Sequence, residues 1–434
     1  MTECVLPDGS PGENAVARTE GLGARSGVLV ASAPVLLAKV LSTVFLAGLA
    51  VVTARALGPS GRGVLVLMIT IPSFTTLLGT LGVNLAARIR MVAKTAPVSL
   101  DRYLGVSAAL VVVQAPLAAL AVALLLPLTG VHVSPLRGLI VGLFGAATLA
   151  DIFLLHAFFA FGRTAEAAAV DAGGSLAQLV LVIAVLVAGR TDPDAVLVAM
   201  TLGAALQAAA NLVALQRLGM PIRPRFSRRV ARELIEEGYP GIGLALGQAL
   251  TFRIDRYIAG LFLVPAAVGI YSVSATGSEM LRLLPYAVSE VVFYKAAADR
   301  MTEKDLVRVV RIVTVCFIAA LAVAALTASW IVPLAFGNAF SSAVGPLRIL
   351  LIGEGGMCLY FLNLAIAVPR GGMRGIAVAS VAGLIVVCLL DVILIPRMGI
   401  SGAAWGSVVA YWLMGIWAWL LARRFRRAHV VATV

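Results

Sequence analysis

Charge is what this chain lacks most. Only 13% of its 434 residues are charged, 61% are hydrophobic, and the mean hydropathy is +1.02. An ordinary soluble domain carries about 25% charge and about half apolar residues, so a water-exposed globule of this length is excluded. Histidine is scarce: His132, His156 and His429 are dispersed. The four cysteines, Cys4, Cys316, Cys358 and Cys388, show no metal-ligand spacing and no disulfide framework. A glycine-rich nucleotide loop is missing, which argues against direct ATP drive. Residues 1–27 lack the basic-then-apolar order of a signal peptide and mix Glu3, Asp8, Glu13 and Glu20 with Arg18 and Arg25. They read as a disordered cytoplasmic tail.

What is present is a succession of long apolar stretches. Division at charge, Pro and Gly gives about twelve, each of about 20 residues or more, enough to cross a bilayer. The expected fold is an all-α integral membrane protein. Its spans fall into six within residues 28–216 and six within residues 238–422, with a basic connection over 217–237 and a cytoplasmic tail over 423–434. The connection holds RPRFSRRVAREL, read as an amphipathic helix on the cytoplasmic surface.

The net charge is +13. The cations sit between the apolar stretches, the pattern of the positive-inside rule rather than of a nucleic-acid surface. With the N-terminus inside, 24 of the Lys and Arg residues fall on the inner side and 6 on the outer, Arg62 counted among the latter. Both termini are therefore expected in the cytoplasm. The halves share a spacing: Leu57, Pro59 and Gly63 recur as Leu263, Pro265 and Gly269. Both copies begin inside, which points to parallel repeats about an axis normal to the membrane.

Some charges lie inside the spans. Residues 238–264 carry Arg253, Asp255 and Arg256, with Arg253 and Arg256 three apart on one helical face. An ionised group at the bilayer centre costs about 2.5–3.5 kcal/mol on insertion scales, so such groups face protein or a wet cavity. Lys39 lies in the first span, Glu279 and Arg282 in the eighth, and Arg55 at the outer end of the first. Glu279 and Arg282 are spaced for an intrahelical ion pair, an alternative to ligand contact. Asp151, Asp171, Asp255, Glu279, Glu290, Glu354 and Asp391 are intramembrane acids. A carboxylate in a partly dry cavity can exchange a proton or help hold a sodium ion; a buried hydrogen bond or ion pair is the alternative at each.

Four stretches resemble the polysaccharide-export flippases (Wzx-type) of the multidrug/oligosaccharidyl-lipid/polysaccharide (MOP) exporter superfamily. They are TARALGPSGRGVLVLMITIPSFTTLLGTLG, DRYIAGLFLVPAAVGIYSVSA, FGNAFSSAVGPLRILLIG and IPRMGISGAAWGSVVAYWL. Their order and spacing carry the resemblance. It implies a MATE-like bundle of two pseudo-symmetric six-helix lobes in the bacterial plasma membrane. The implied activity moves a polyprenyl-diphosphate-linked oligosaccharide from the inner to the outer leaflet for cell-surface polysaccharide biosynthesis. The related lipid II flippases carry two further helices that this chain lacks.

An anionic head gives the cations a task, because guanidinium forks onto phosphate oxygens. Lys39, Arg253, Arg256, Arg282 and Arg55 are the candidates for the diphosphate and sugar. Asp255 and Glu279, then Asp151 and Asp171, are the candidates for coupling to Na+ or H+. The implied partners are the lipid-linked sugar, membrane lipid and the polysaccharide assembly machinery; no cofactor, structural metal or nucleic acid is expected. An ion-coupled drug or metabolite antiporter of the same superfamily is the second reading. A membrane enzyme or a scaffold of polysaccharide assembly is the third. The only outer-loop acids, Asp192 and Asp194, lie in GRTDPDA, which reads as a turn and helix cap.

Overall fold

The structure, a computed structural model, describes residues 27–91, 98–220, 222–297 and 303–432. The expected N-terminal tail lies outside them. Among the described residues there are thirteen α-helices and no strand. They are α1 (Gly27–Gly79), α2 (Val83–Arg90), α3 (Leu100–Leu125), α4 (Pro135–Ala160), α5 (Thr164–Val187), α6 (Pro193–Arg217), α7 (Arg228–Thr251), α8 (Ile254–Phe262), α9 (Pro265–Ala297), α10 (Glu303–Phe336), α11 (Val344–Ala367), α12 (Met373–Met398) and α13 (Ile400–Ala432).

Helix is what these residues must form in hydrocarbon, where no water satisfies a free N–H or C=O. Their ends are set by ordinary caps. Ser134 accepts from the Arg137 N–H at 3.1 Å ahead of Pro135, and Asp192 accepts from the Ala195 N–H at 2.8 Å ahead of Pro193. The GRTDPDA turn thus caps α6, and its second acid, Asp194, pairs with Arg137 at 2.6 Å.

Eight stretches are long and apolar enough to cross a membrane. Two of them, Leu37–Gly79 and Asn338–Met398, each contain two legs. α1 bends at Gly58, whose φ of 65° and ψ of −178° suit a residue without Cβ, and Pro59 starts the return leg. The crossings outside the eight are α7–α8 and α9, which carry Arg253, Asp255, Arg256, Glu279, Arg282 and Glu290. The legs alternate between a basic end, which holds Arg223 to Arg232, and an opposite end, which holds the α1 bend and the α8–α9 junction.

The basic connection differs from its expected form. Its helix starts at Arg228, behind a Ser227 cap, and runs without a break into the seventh crossing to Thr251. Val230 and Leu234 are buried in one apolar cluster with Val83, Tyr103, Phe153 and Leu215. That inward-facing stripe is why the segment is not a loose surface helix. At the other terminus α13 continues to Ala432, through residues expected to form a tail.

The repeated Leu-x-Pro-x-x-x-Gly motifs pack against each other. A Cβ on Gly63 would overlap the Pro265 carbonyl and come within 3.0 Å of the Gly269 nitrogen. A Cβ on Gly269 would overlap the Pro59 carbonyl and come within 2.9 Å of the Gly63 nitrogen. The two legs therefore cross backbone to backbone at the end away from the basic loops, in a reciprocal contact that only glycine permits.

Candidate functional site

The seventh crossing is not one helix. α7 stops at Thr251 and α8 restarts at Ile254, with Arg253 between them at φ −136° and ψ −19°. Arg253 and Arg256 therefore do not share one face of a continuous helix. The side chain beside the break fixes it. Phe252 meets the Tyr411 ring edge-on at 5.7 Å, and the Arg282 guanidinium lies 4.1 Å from the Phe252 centroid and 5.0 Å from that of Tyr411. Arg282 forks onto Glu354 of α11 at 2.9 and 2.6 Å. Glu354 is completely buried and Arg282 is 7% exposed. An isolated charge there would be prohibitive, and the bidentate pair with two aromatic faces makes it tenable.

This arrangement corrects the pairing read from spacing. Glu279 does not take Arg282 three residues on. It pairs with Arg256 of α8, and Arg282 turns to Glu354. Arg282 is thereby a support of the site rather than an open cation. Arg253 is the opposite case. Its side chain makes no hydrogen bond or ion pair among the described residues, and its charged neighbours are Arg256 and Glu279. It is exposed, at the break between the two helices of one crossing.

Asp255, two residues on, is buried instead. It is 2% exposed, accepts from the Tyr271 hydroxyl at 2.5 Å and from the Arg256 N–H at 2.7 Å, and lies 3.4 Å from the Ser407 hydroxyl. Asp391 of α12 is its charged neighbour. Asp391 is completely buried, and neither of its oxygens has a hydrogen-bond partner among the described residues. In the other lobe the Gln207 amide bridges Asp151 and Asp171 at 3.2 Å each, and Asn211 donates to Asp151 at 2.7 Å.

The remaining candidates stand apart. Lys39 is exposed, with its ammonium 5.4 Å from the Tyr286 centroid of α9. Arg55 donates to the Leu334 and Ala335 carbonyls, closing the C-terminus of α10, with the Ala335 bond at 2.7 Å. It ties the first crossing to the ninth. Gln114 bonds Thr75 and Thr76 as interhelical glue.

Two residues were undervalued by spacing alone. Arg62, counted as an outer-loop cation, is only 7% exposed and donates to the Thr53 hydroxyl at 2.6 Å. The internal repeat contains the signal: Arg62 aligns with Val268, which is fully buried. Asp391 is among the intramembrane acids but not among the coupling candidates that sequence reasoning favours.

Residues 167–345 match the family described as polysaccharide biosynthesis protein. No curated protein matches the chain. Among solved structures, the lipid II flippase MurJ in an inward closed conformation superposes at a TM-score of 0.71, 12% identical, over 89% of this chain and 86% of that one. An inward-facing multidrug resistance MATE family transporter of the MOP superfamily gives 0.63 at 14% identity, over 91% and 95%. The chain shares the fold of these two proteins. A MOP superfamily transporter from Pyrococcus furiosus gives 0.53 at 15% identity, over 91% and 94%. These neighbours are transporters and flippases, not enzymes. The matched segment runs from α5 to the start of α11, so it includes Arg253, Asp255, Arg256, Glu279 and Arg282.

Proposed function

We propose that this MOP-type protein is a flippase that carries a polyprenyl-diphosphate-linked oligosaccharide from the inner to the outer leaflet of the bacterial plasma membrane. The single observation behind this reading is Arg253, an exposed cation that makes no ion pair among the described residues, at a helix break midway along a crossing. An anionic head would gain a charge-assisted bond there while the apolar tail stays in lipid. Arg256 and Lys39 extend the cationic lining, and Arg282 with Glu354 holds the break in place. The basic end is assigned to the cytoplasm, because its loops carry most of the cations. The lobes alternate access about the Gly63–Gly269 crossing. Coupling to Na+ or H+ is assigned to Asp255 and Asp391, a buried acid pair beside Tyr271 and Ser407. Asp391 is a buried carboxylate without a hydrogen bond among the described residues, and a proton or cation would satisfy it there.

A second reading, a cation-exporting antiporter of the same superfamily, draws support from the Asp151–Gln207–Asp171 cluster, which offers acids rather than cations. The test is reconstitution into liposomes with a fluorescent polyprenyl-diphosphate sugar. Wild-type protein moves it across the bilayer under a sodium or proton gradient, and Arg253→Gln reduces transport about tenfold or more, the worth of one charge-assisted bond. No movement under either gradient refutes the flippase.

A further inference from the structure

The flippase reading leaves one polar cluster without a task. Asp151 of α4, Asp171 of α5, and Gln207 and Asn211 of α6 meet inside the first lobe. The Gln207 amide nitrogen lies 3.2 Å from one oxygen of each carboxylate, so those two oxygens are no more than twice that distance apart. A Cβ on Gly174 would come within 2.4 Å of the Gln207 amide oxygen, so the bare backbone of α5 gives this amide its place. Both acids are partly exposed, and neither makes an ion pair among the described residues. Asn211 is completely buried. Its nitrogen donates to Asp151 at 2.7 Å, and its oxygen has no partner among the described residues. Buried polar atoms are almost always satisfied. Four carboxylate oxygens and the Asn211 oxygen thus share the N–H groups of two amides, and the cluster is short of donors.

That shortage does not suit a phosphate, which brings acceptors. It does not suit a metal ion between the carboxylates either, because the Gln207 nitrogen fills that place. A sugar ring brings hydroxyl donors on several sides, and a hydroxyl bond to a carboxylate is charge-assisted. The cluster is also level with the cationic lining. The Ser42 and Ser175 hydroxyls meet at 2.8 Å between the first crossing and α5. Both helices run from the basic end, so Lys39, three residues before Ser42, and Asp171, four before Ser175, stand at about the same depth. Their neighbours Ala38 and Ala172 share one small buried cluster. Lys39 in turn lies 5.4 Å from the Tyr286 ring of the other lobe. We infer that Asp151, Asp171, Gln207 and Asn211 form a sugar subsite in the first lobe, which takes the hydroxyls of the ring next to the diphosphate while the cations hold the phosphates. The inference rests on the flippase reading and names its substrate class. The ring next to the diphosphate is a neutral sugar and not a uronic acid, whose carboxylate would meet two acids without a counter-ion.

The experiment uses the full chain in lipid nanodiscs with three radiolabelled probes: farnesyl diphosphate, farnesyl-diphosphate glucose and farnesyl-diphosphate glucuronic acid. Wild type binds the glucose probe about tenfold or more tightly than either of the others, the worth of one bond to a charged group. Arg253→Gln weakens the glucose probe and farnesyl diphosphate alike, so their ratio stays. The double variant Asp151→Asn with Asp171→Asn keeps the side-chain volumes and removes the charges. Its preference for glucose over glucuronic acid falls to within about twofold. If the double variant is not monodisperse, Asp171→Asn carries the test alone, with a reduced preference at an unchanged melting temperature as the expected result. A wild type that binds all three probes equally overturns the sugar subsite and leaves Arg253 in place. So does an undiminished preference in the folded asparagine variants. Each measurement is run in sodium and in potassium chloride. A preference that needs sodium makes the cluster an ion site and also overturns the inference. Failure of the wild type to bind farnesyl diphosphate at all brings down the flippase reading instead, and the subsite with it.

Discussion

The Arg282–Glu354 pair offers a quantitative check on the helix break. Glu354→Gln keeps the volume and removes the charge. Arg282 would then remain buried over Phe252 and Tyr411 with only Glu279, already paired with Arg256, as an opposite charge. Breaking one partner of a buried pair costs about 3–5 kcal/mol. The aromatic contacts at 4.1 and 5.0 Å exist before and after, so they do not offset that loss. The double variant Arg282→Met with Glu354→Leu removes both charges, and such a replacement is about neutral or stabilising by ~1–4 kcal/mol. A double-mutant cycle read by intrinsic fluorescence melting in detergent should therefore be strongly non-additive: the single variant melts early and the double variant recovers. Function should part from stability. Without the guanidinium against both rings, Phe252 keeps only its edge-on contact with Tyr411 and the break is held less firmly, so the recovered double variant should still bind farnesyl diphosphate about tenfold more weakly, a loss of roughly one charge-assisted bond. Unchanged melting in Glu354→Gln, or additive costs in the cycle, would refute the account of how the break is held.

Three further outcomes follow from the geometry. Gly63→Ala or Gly269→Ala places a methyl group on a facing carbonyl, so spin labels on the two crossing legs should move apart by about one carbon diameter, ~3–4 Å; an unchanged distance distribution contradicts the crossing. Asp391→Asn removes an unpartnered acid, so transport should lose its dependence on the driving gradient while probe binding persists; retained gradient dependence removes Asp391 from coupling. At the basic end, Arg229 and then Arg90 hold the Glu233 carboxyl below its ordinary value of 4.5. A depressed folded pKa means stability that is present above the unfolded value and lost as pH falls through the folded one. Hydrogen exchange in residues 228–237 should thus rise below about pH 4.5, and Glu233→Gln should exchange at its higher rate at every pH.

Long apolar legs were legible because their signal is a local sum: about 20 residues without charge can satisfy their backbone in lipid only as helix. The superfamily fold was legible from the order of four loose motifs. Ion pairing was not. Glu279 and Arg282 have ideal helical spacing, yet a short-range pair on one helix leaves Glu354 buried and bare on another. The bundle instead satisfies the deepest acid first. The break at Arg253 was hidden for a related reason. Residues 247–256 contain no proline at the break, and the interruption comes from Phe252 being drawn to Tyr411 and Arg282, two residues remote in sequence. Arg62 was misplaced because charge beside Gly and Pro resembles a loop, whereas its burial depends on the other lobe.

The two ends of the bundle are closed by different physics. At the end with the α1 bend, Gly63 and Gly269 bring backbones together with no side chains to interlock, and Arg55 ties the first crossing to the α10 carbonyls. At the basic end, Gly82 meets Gly238 backbone to backbone, and Arg90 bridges Glu233 at 3.0 Å and Glu237 at 3.4 Å. Both closures pair a glycine contact with an arginine. A contact between smooth backbones forfeits little dispersion energy when it parts, since dispersion is won by many interdigitated atoms. The arginines then set the balance. The Arg90 bridge is water-accessible and worth about 0–1 kcal/mol, falling with salt. Arg55 is exposed and bonds the last carbonyls of α10, so its release frees the acceptors that close that helix. In the proposed transport cycle each end opens by parting one glycine contact and releasing one arginine, so neither opening has to separate a broad interlocked surface.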